Sequence, residues 1–405
     1  MSSRTIRQVV GDGLCTGCGA CATIASEHVR MNFDDRGFLR PVPVGDVTRD
    51  EEKAISHVCP GRRLEVQAGE RENDPLWGPL VGVRIGYALD PEVRYAGSSG
   101  GALSAILANL LEVGAVDRVI QTSAAIDPPY GNATVVSGTA EDVLAASGSR
   151  YAPSAPLAGL EAALATGQRY AFVGKPCDVA ALRRLAEVDP RIDRQIPYML
   201  SFFCAGVPSL NGVREVLRAM GVEPEDTARF RFRGDGWPGY ATATRHDGTT
   251  ARMSYNDSWG KILSRHVQFR CKVCPDGTGM LADIACADAW HCDERGYPTF
   301  DEADGLSLIV SRTSKGEDLV LSTIRRRGLS AKRVAVDEIA AMQPGQLRRR
   351  RAVLARLAAL RLARGRGPDF RGFNMLRAAQ SGRMSNHFRE FAGTLRRLIL
   401  RGAGA

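Results

Sequence analysis

The stretch VRIGYALDPEVRYAGSSGGALSAILANLLEVGAVDRVIQTS, residues 83–123, contains two strand-like segments with a glycine-rich loop and an apolar run between them. The segments at its two ends predict β-strands, and ALSAILANLLEVG predicts a helix. The same order recurs in RYAFVG, KPCDVAALRRLAEV and PYMLSFFC, which span residues 169–174, 175–188 and 197–204. Strands that alternate with helices in this way predict an α/β fold for the centre of the chain.

The composition is that of an ordinary folded protein, with 44% hydrophobic and 24% charged residues among 405. The start MSSRTIRQVV lacks the apolar segment of a signal peptide, and no apolar run is long enough to span a membrane, so we expect a cytoplasmic location. The net charge of +9 is uneven, because residues 348–405 hold fifteen arginines against Asp369 and Glu390, which gives +13 there and −4 elsewhere. This distribution does not predict nucleic-acid binding by the whole molecule.

Ten cysteines in a chain expected to meet reducing conditions favour metal or cluster ligation over disulfides. Within LCTGCGACATIAS, three of them have C-x-x-C-x-x-C spacing: Cys15, Cys18 and Cys21. A bacterial ferredoxin places its next cysteine four residues later, where this chain has Ala25. Cys59, which precedes a proline, is the next cysteine, and we predict that it completes a four-iron cluster. A zinc site that includes His57 and a three-iron cluster are the alternatives.

Cys271 and Cys274 form a second C-x-x-C pair, in RCKVCPDGTG. Cys177 and Cys204 each follow a predicted strand, and strand ends in an α/β sheet converge on one crevice. Spacing alone leaves a four-thiolate set, half of a zinc site, a redox pair and separate buried cysteines all open. Two more cysteines are left unassigned, with ordinary packing as the simplest interpretation: Cys286 and Cys292.

The loop GSSGG, residues 97–101, leads into the predicted helix of the first stretch. Its small residues expose backbone N–H groups at the positive end of that helix, which suits a phosphate or pyrophosphate, although a capped turn is the alternative. FRGDGWPGY, residues 232–240, also contains a Gly-x-Gly-x-x-Gly pattern. Because Pro238 and the alternating ATATR favour a turn and a strand, we reject a dinucleotide-binding helix there.

Taken together, these stretches resemble the beta-subunit family of coenzyme F420 hydrogenases and dehydrogenases. The resemblance covers roughly residues 12–310 in the family's order, through CTGCGAC, AGSSGGALSAIL, AASGSRYAP, FVGKPCDVAAL, SFFCAGVPS, FRGDGWPG and CKVCPDGTGMLADIACADAW. Relatives of the family include plant 7-hydroxymethyl chlorophyll a reductase and the ferredoxin-dependent divinyl chlorophyllide 8-vinyl reductase. Cys286–Ala287 departs from the Val–Gly that is common in these relatives.

The resemblance implies two [4Fe-4S] clusters and FAD. The second cluster would be held close to the flavin by four cysteines: Cys177, Cys204, Cys271 and Cys274. The implied FAD contacts lie in two segments: Ser98, Ser99, Gly100 and Gly101, with Gly148, Ser149, Arg150 and Tyr151. We therefore predict an α/β fold in three parts. These are an N-terminal ferredoxin-like iron–sulfur segment (1–70), a central mixed α/β flavin domain that also binds a [4Fe-4S] cluster (80–345), and a C-terminal basic helical tail (346–405).

The charged run GRRLEVQAGERENDP, residues 61–75, is predicted as a linker between the first two parts. Two apolar stripes at helical spacing are predicted in the tail: Val353, Leu357 and Leu360, then Phe388, Phe391, Leu395 and Leu398. Such stripes usually pack inward, but a basic surface would also attract an acidic partner or anionic lipid. Of these two, we favour docking of an acidic electron carrier, since Pro368 and Gly372 divide the tail into short helices.

The first functional hypothesis is a flavin- and iron–sulfur-dependent oxidoreductase that exchanges electrons between ferredoxin, or a similar acidic carrier, and an organic hydride acceptor or donor. The family suggests the deazaflavin coenzyme F420 as that substrate, and a chlorophyllide-type tetrapyrrole is the alternative. A non-catalytic electron-transfer subunit of a larger complex is the hypothesis from a different class. We expect either a homo-oligomer or membership of such a complex.

Overall fold

The structure is a computed structural model that describes residues 3–294 and 298–401. Residues 1–2, 295–297 and 402–405, which fall in the three predicted parts, lie outside the described residues. The N-terminal part contains short helices and paired strands. Its elements are α1 (Arg4–Gly11), α2 (Ala20–Ile24), β1 (Val29–Phe33), β2 (Leu39–Pro43), α3 (Arg49–Val58), β3 (Arg63–Glu65), β4 (Glu72–Asp74) and β5 (Gly78–Leu80).

The central part alternates strands and helices, as the sequence predicts. Its elements are β6 (Gly82–Ala88), α4 (Pro91–Ala96), α5 (Ala102–Glu112), β7 (Arg118–Ala124), β8 (Asn132–Ser137), α6 (Ala140–Ala145), α7 (Leu160–Leu164), β9 (Tyr170–Gly174), α8 (Pro176–Ala186), α9 (Arg191–Gln195), β10 (Tyr198–Phe202), α10 (Leu210–Ala219), β11 (Thr227–Arg231), β12 (Ala241–Arg245), β13 (Thr250–Met253), α11 (Phe269–Lys272), β14 (Ile284–Asp288), β15 (Ser307–Ser311), α12 (Ser314–Arg325), β16 (Leu329–Arg333) and α13 (Glu338–Met342).

Local sequence signals explain where several helices begin. Thr48 and Glu51 form a capping box at the start of α3, and Thr139 with Asp142 does the same for α6. Pro176 occupies the first turn of α8, where its missing N–H costs no intrahelical hydrogen bond. These signals define the first residues of helices whose starting points are not clear from the apolar pattern alone.

An eight-stranded sheet forms the core, in the order β16-β6-β15-β14-β10-β9-β7-β8. The neighbouring strands β14, β10, β9 and β7 run parallel, and antiparallel strands flank them on both sides. Strands β9 and β15 are buried along their whole length, as expected for apolar strands covered on both faces. The α/β prediction is confirmed as a large mixed sheet.

The carboxyl ends of β9, β10 and β14 lie side by side at one edge of this sheet. Cys177 is in the first turn of the helix that follows β9, Cys204 lies two residues beyond β10, and Asp288 ends β14. Loops after adjacent parallel strands create a crevice at this edge. The sheet therefore brings together two of the predicted ligand cysteines and one acidic residue.

The loop that contains Gly234, Gly236 and Gly239 is not helical, and it leads into β12. All three glycines have positive φ, between 79° and 113°. Strands β12 and β13 pair antiparallel. The rejection of a dinucleotide-binding helix at this pattern, and the prediction of a turn and a strand there, are both confirmed.

Up to residue 401, the tail contains three helices, the first of which begins just before it, and one short strand: α14 (Pro344–Arg364), β17 (Asp369–Arg371), α15 (Met375–Gln380) and α16 (Met384–Arg401). Its first predicted stripe is buried against the N-terminal part, in a cluster that includes Val353, Leu357, Leu14 and Leu64. In its second stripe Leu398 is buried, whereas the Phe388 side chain is 75% exposed. The expectation of inward packing therefore holds for the first stripe and only in part for the second.

The prediction of a linker at residues 61–75 is wrong. Strand β3 lies within this run and pairs in parallel with β17 of the tail. Leu64 and Val66 alternate with charged residues, so both are buried while their neighbours face outward. The many charged residues of this run led to the prediction of a linker, although the alternation of Leu64 and Val66 with polar residues indicates a short strand with one apolar face.

Within the described ranges, none of the helices combines the length and the apolar character that a membrane span requires.

Candidate functional site

The first group of cysteines surrounds a small cavity of about 30 Å³ in the N-terminal part. All four predicted residues line it: Cys15, Cys18, Cys21 and Cys59. Gly17 and Gly19 between them have φ of 77° and 89°, and a Cβ on Gly19 would lie 2.6 Å from the backbone nitrogen of Ala158. The small residues of the motif are therefore required for its close backbone packing. We call these four cysteines the first thiol group.

Burial raises the pKa of the Cys18 thiol to about 12 and that of Cys59 to about 11, and nearby thiols reinforce the effect. Thiols of this kind would lose their protons to solvent on binding a soft metal centre, whose positive charge reverses the local electrostatics. Across residues 3–294 and 298–401, no three His, Cys, Asp or Glu side chains have the geometry to hold a single metal ion. The first thiol group encloses a cavity instead.

A second thiol group consists of Cys177, Cys204, Cys271 and Cys274. Cys177 interacts electrostatically with Cys204 and Cys274, and Cys204 with Cys271 and Cys274. Burial raises the pKa of Cys204 to about 12, with further contributions from Cys271 and Cys274. Four cysteines from three separate stretches of the chain thus meet at one place, as the resemblance implied.

Two side chains connect the two thiol groups. The Gln268 Nε2 donates to the carbonyl of Thr16 at 3.3 Å and lies 3.6 Å from the Cys271 Sγ. The Arg270 Nη2 donates to the carbonyl of Pro60 at 3.1 Å. Thr16 and Pro60 adjoin cysteines of the first group, so two residues separate the two groups along either route: Thr16 and Gln268 on one, and Pro60 and Arg270 on the other.

A cavity of about 290 Å³ opens at the carboxyl edge of the sheet. Both segments predicted to contact FAD contribute to its wall, through Ser98, Ser99, Gly101, Gly148, Ser149, Arg150 and Tyr151. Gly100 is not in the wall: it packs between β6 and β15, where a Cβ would lie 2.8 Å from both the Gly86 carbonyl oxygen and the Ser307 backbone nitrogen, and its N–H donates to the Ser307 Oγ at 2.9 Å. The Ser149 hydroxyl donates to the Ser98 hydroxyl at 2.7 Å and joins the two segments.

Arg150 has a supporting role in this wall. Its guanidinium donates to Asn132 Oδ1 at 2.9 Å and to the carbonyls of Gly131 and Phe230 at 2.6 and 3.1 Å. Burial, aided by the charge of Arg231, lowers the pKa of Arg150 to about 10. The side chain therefore fixes the loop to the strands behind it.

Two family models match the chain in succession. Residues 83–161 match the N-terminal region of the coenzyme F420 hydrogenase/dehydrogenase beta subunit, and residues 167–336 match its C-terminal region. The chain belongs to this beta-subunit family. The match includes both segments of the cavity wall and all four cysteines of the second thiol group, while the first thiol group and the tail lie outside it.

The individual relatives of this chain have low sequence identity to it. Coenzyme F420-dependent sulfite reductase from Methanocaldococcus jannaschii is 24% identical over 346 residues, which are 81% of this chain and 49% of that protein. The chain thus spans about half the length of that relative. The chloroplastic 7-hydroxymethyl chlorophyll a reductase of Oryza sativa is 26% identical over 222 residues, 54% of this chain and 45% of the reductase. These relatives support an oxidoreductase with an electron-transfer role.

A solved structure of the F420-reducing [NiFe] hydrogenase complex from Methanosarcina barkeri contains a chain with a similar fold. The TM-score is 0.55 at 21% identity, and the similarity covers 73% of this chain and 98% of that one. At this identity the likeness establishes the fold of the beta-subunit family and nothing finer.

Sequence reasoning did not identify a buried ion pair in this family member. The Arg233 guanidinium, 2% exposed, contacts both carboxylate oxygens of Asp288 at 2.8 and 3.0 Å and donates to the Ser98 carbonyl. The Trp237 Nε1 also donates to Asp288, at 2.9 Å. The stretches FRGDGWPG and ADAW contain these residues, but their order alone does not reveal the pairing.

Aromatic side chains form another part of the cavity wall that was not foreseen. Tyr255, Trp259 and Trp290 line it, and Tyr255 stacks on Trp290 with ring centroids 5.7 Å apart. Gln343, which precedes α14, and Gln346, in the first turn of that helix, belong to the same wall. The site therefore extends beyond the family-matched region to the start of the tail, for which the sequence predicted inward packing or partner docking but no part in a binding cavity.

Proposed function

We propose that this chain is a flavin- and iron–sulfur-dependent oxidoreductase that passes electrons between a one-electron carrier and an organic hydride donor or acceptor. The observation that carries the proposal is the position of Cys204. It belongs to the second thiol group, and it also lines the cavity formed by both predicted FAD segments. A cofactor in that cavity would be next to a cluster held by this group.

In this proposal FAD occupies the cavity, and each thiol group holds one [4Fe-4S] cluster. When bound, FAD would supply two-electron hydride chemistry and the clusters would supply one-electron steps. The N-terminus of α5 faces the Ser98–Gly101 loop, so its backbone N–H groups would bind the FAD pyrophosphate. The eight cysteines suit clusters because their thiols are grouped in two sets of four.

The remaining side chains of the cavity would hold this arrangement in place. The pair of Arg233 and Asp288 fixes the backbone at Ser98, and the aromatic wall excludes water and offers flat apolar surfaces to planar rings. Gln268 and Arg270 hold the two thiol groups against each other. The path from the cavity to the N-terminal part is then short and continuous.

For the one-electron carrier, the exposed arginines of the tail favour an acidic protein such as ferredoxin. Arg389 and Arg396 are exposed on α16, in a segment with a net charge of +13. Complementary charge steers association and raises its rate at low ionic strength. For the hydride partner, family membership favours a deazaflavin of the F420 type, and the chlorophyll-reducing relative keeps a tetrapyrrole as the second candidate.

Anaerobic purification tests the proposal directly. We expect FAD and about eight iron atoms per chain, with equal acid-labile sulfide, because each four-iron cluster needs four cysteines. Protein that contains zinc and no flavin would refute it. Mixing reduced enzyme with each substrate and following flavin reoxidation would then separate the candidates. Reoxidation by a deazaflavin but not by a chlorophyllide supports the first, and the reverse result supports the second.

A further inference from the structure

The tail extends to the second thiol group, although the family match ends at residue 336. The Arg349 guanidinium, on α14, interacts electrostatically with the thiols of Cys204, Cys271 and Cys274. Its Nη1 lies 3.5 Å from the Cys204 carbonyl oxygen. In the described part of the chain no carboxylate pairs with it. Arg349 is thus a cation beside three of the four thiols.

Neighbouring residues hold α14 in this position. The Gln346 Nε2 donates to the Cys204 carbonyl at 3.1 Å. Arg350 is almost fully buried, and its guanidinium donates to four backbone carbonyls at 2.7–3.0 Å: those of Pro75, Leu76, Pro275 and Phe373. Pro275 directly follows Cys274, so Arg350 anchors the helix to the loop that bears this cysteine. The position of Arg349 is therefore fixed by the fold.

The carboxylates near this group have cations of their own. Asp178 pairs with Lys175, with Nζ 2.7 Å from Oδ2. Asp276 interacts with Arg312 and Arg350. Because these carboxylates are paired with other cations, they do not neutralise the charge of Arg349. The electric field of that charge therefore acts on any group that the thiols hold.

We propose that Arg349 raises the reduction potential of the cluster held by the second thiol group. The proposal rests on the function proposed above. One-electron reduction of a cluster adds one negative charge, changes no bond at the cysteines and takes its electron from the carrier or from the reduced flavin. A fixed cation in a site of low dielectric stabilises the more negative state. Arg349 would therefore favour residence of an electron on the cluster next to the flavin.

The test compares three full-length variants purified anaerobically: Arg349→Met, Arg349→Lys and Arg348→Met. Arg348 is the matched control, because it is the preceding residue of α14 and is exposed. Potentiometric titration with dithionite, followed by electron paramagnetic resonance, measures the midpoint potentials of both clusters. We expect Arg349→Met to shift one of the two midpoints to a more negative potential. The other midpoint, and both midpoints in Arg348→Met, should stay at the wild-type values.

The outcomes separate this inference from the proposed function. Wild-type protein without iron–sulfur clusters would refute the function itself. Clusters at full occupancy with unchanged midpoints in Arg349→Met would refute the role of Arg349 alone. If Arg349→Met loses the cluster, Arg349→Lys decides. If Arg349→Lys retains both clusters at near wild-type potentials, the positive charge at this position is what the cluster requires. If Arg349→Lys also loses the cluster, Arg349 acts through packing and the inference is overturned.

Discussion

Replacing Gly101 with alanine is expected to weaken FAD binding without unfolding the chain. Gly101 caps the N-terminus of α5 with a φ of 71°, and a Cβ there would lie 2.6 Å from the Val93 carbonyl oxygen. Both the left-handed backbone and the contact with another backbone atom disfavour a side chain. In the free protein, the loop from Ser98 to Gly101 relieves this strain by moving out of its native conformation.

The expected loss of affinity follows from that relaxation. A left-handed backbone costs a non-glycine residue about 1–2 kcal/mol, and the close contact adds to this. Bound FAD must return the loop to the strained conformation, so the cost appears in the dissociation constant. Since about 1.4 kcal/mol corresponds to a factor of ten, we expect affinity to fall about 10–30-fold.

Gly114 provides the matched control at the other end of the same helix. Its φ is 63°, and a Cβ there would have no atom within 4 Å. Gly114→Ala is therefore expected to lower thermal stability slightly while leaving FAD affinity unchanged. Titration of each flavin-free protein with FAD, followed by flavin fluorescence, measures the constants, and thermal unfolding shows whether the variants are folded. Wild-type affinity in a folded Gly101→Ala protein would mean that this loop does not hold the flavin.

Three further predictions concern the clusters and the carrier. Cys59→Ala should remove about half of the iron and keep FAD, whereas Cys292→Ala, a substitution outside both thiol groups, should keep all of the iron. Full iron content in Cys59→Ala would exclude Cys59 as a ligand. Cys274→Ala should retain FAD but block electron transfer from reduced flavin to the carrier in stopped-flow measurements, and a wild-type rate would contradict the proposed path. Charge reversal of Arg389 and Arg396 to Glu should slow ferredoxin-driven turnover at low salt, with the defect shrinking as ionic strength rises; equal slowing at all salt concentrations would argue against steering.

The sequence was sufficient for four strands of the central sheet, β6, β7, β9 and β10, because its signals there are local. An apolar strand, a tight turn and an amphipathic helix each occupy a few consecutive residues, as in the unit of β9, α8 and β10. The placement of Cys177 beside Cys204 followed from a general rule about the ends of parallel strands. Neither inference required knowledge of distant contacts.

The parts that could not be foreseen depend on contacts between residues far apart in the chain. Arg233 pairs with Asp288 across 55 positions, and Gln346 reaches Cys204 across 142. Nothing in either local sequence specifies its partner. Phe388 shows a second limit of sequence-based prediction. Helical spacing predicts that this residue lies on an apolar face, but it does not show whether another part of the chain covers that face.

The pairing of β3 with β17 has a consequence for how the protein is made. Residue 64 finds its strand partner at residue 370, so the chain must close a loop of about 300 residues. A ribosome delivers the N-terminal cysteines long before this partner strand emerges. The strand edge at Leu64 therefore lacks its partner for most of synthesis, and any cluster held by the first thiol group, as proposed above, would have that interval in which to assemble. The helix α14 and the strand β17, which complete the packing around Leu64, both lie in about the last 15% of the polypeptide.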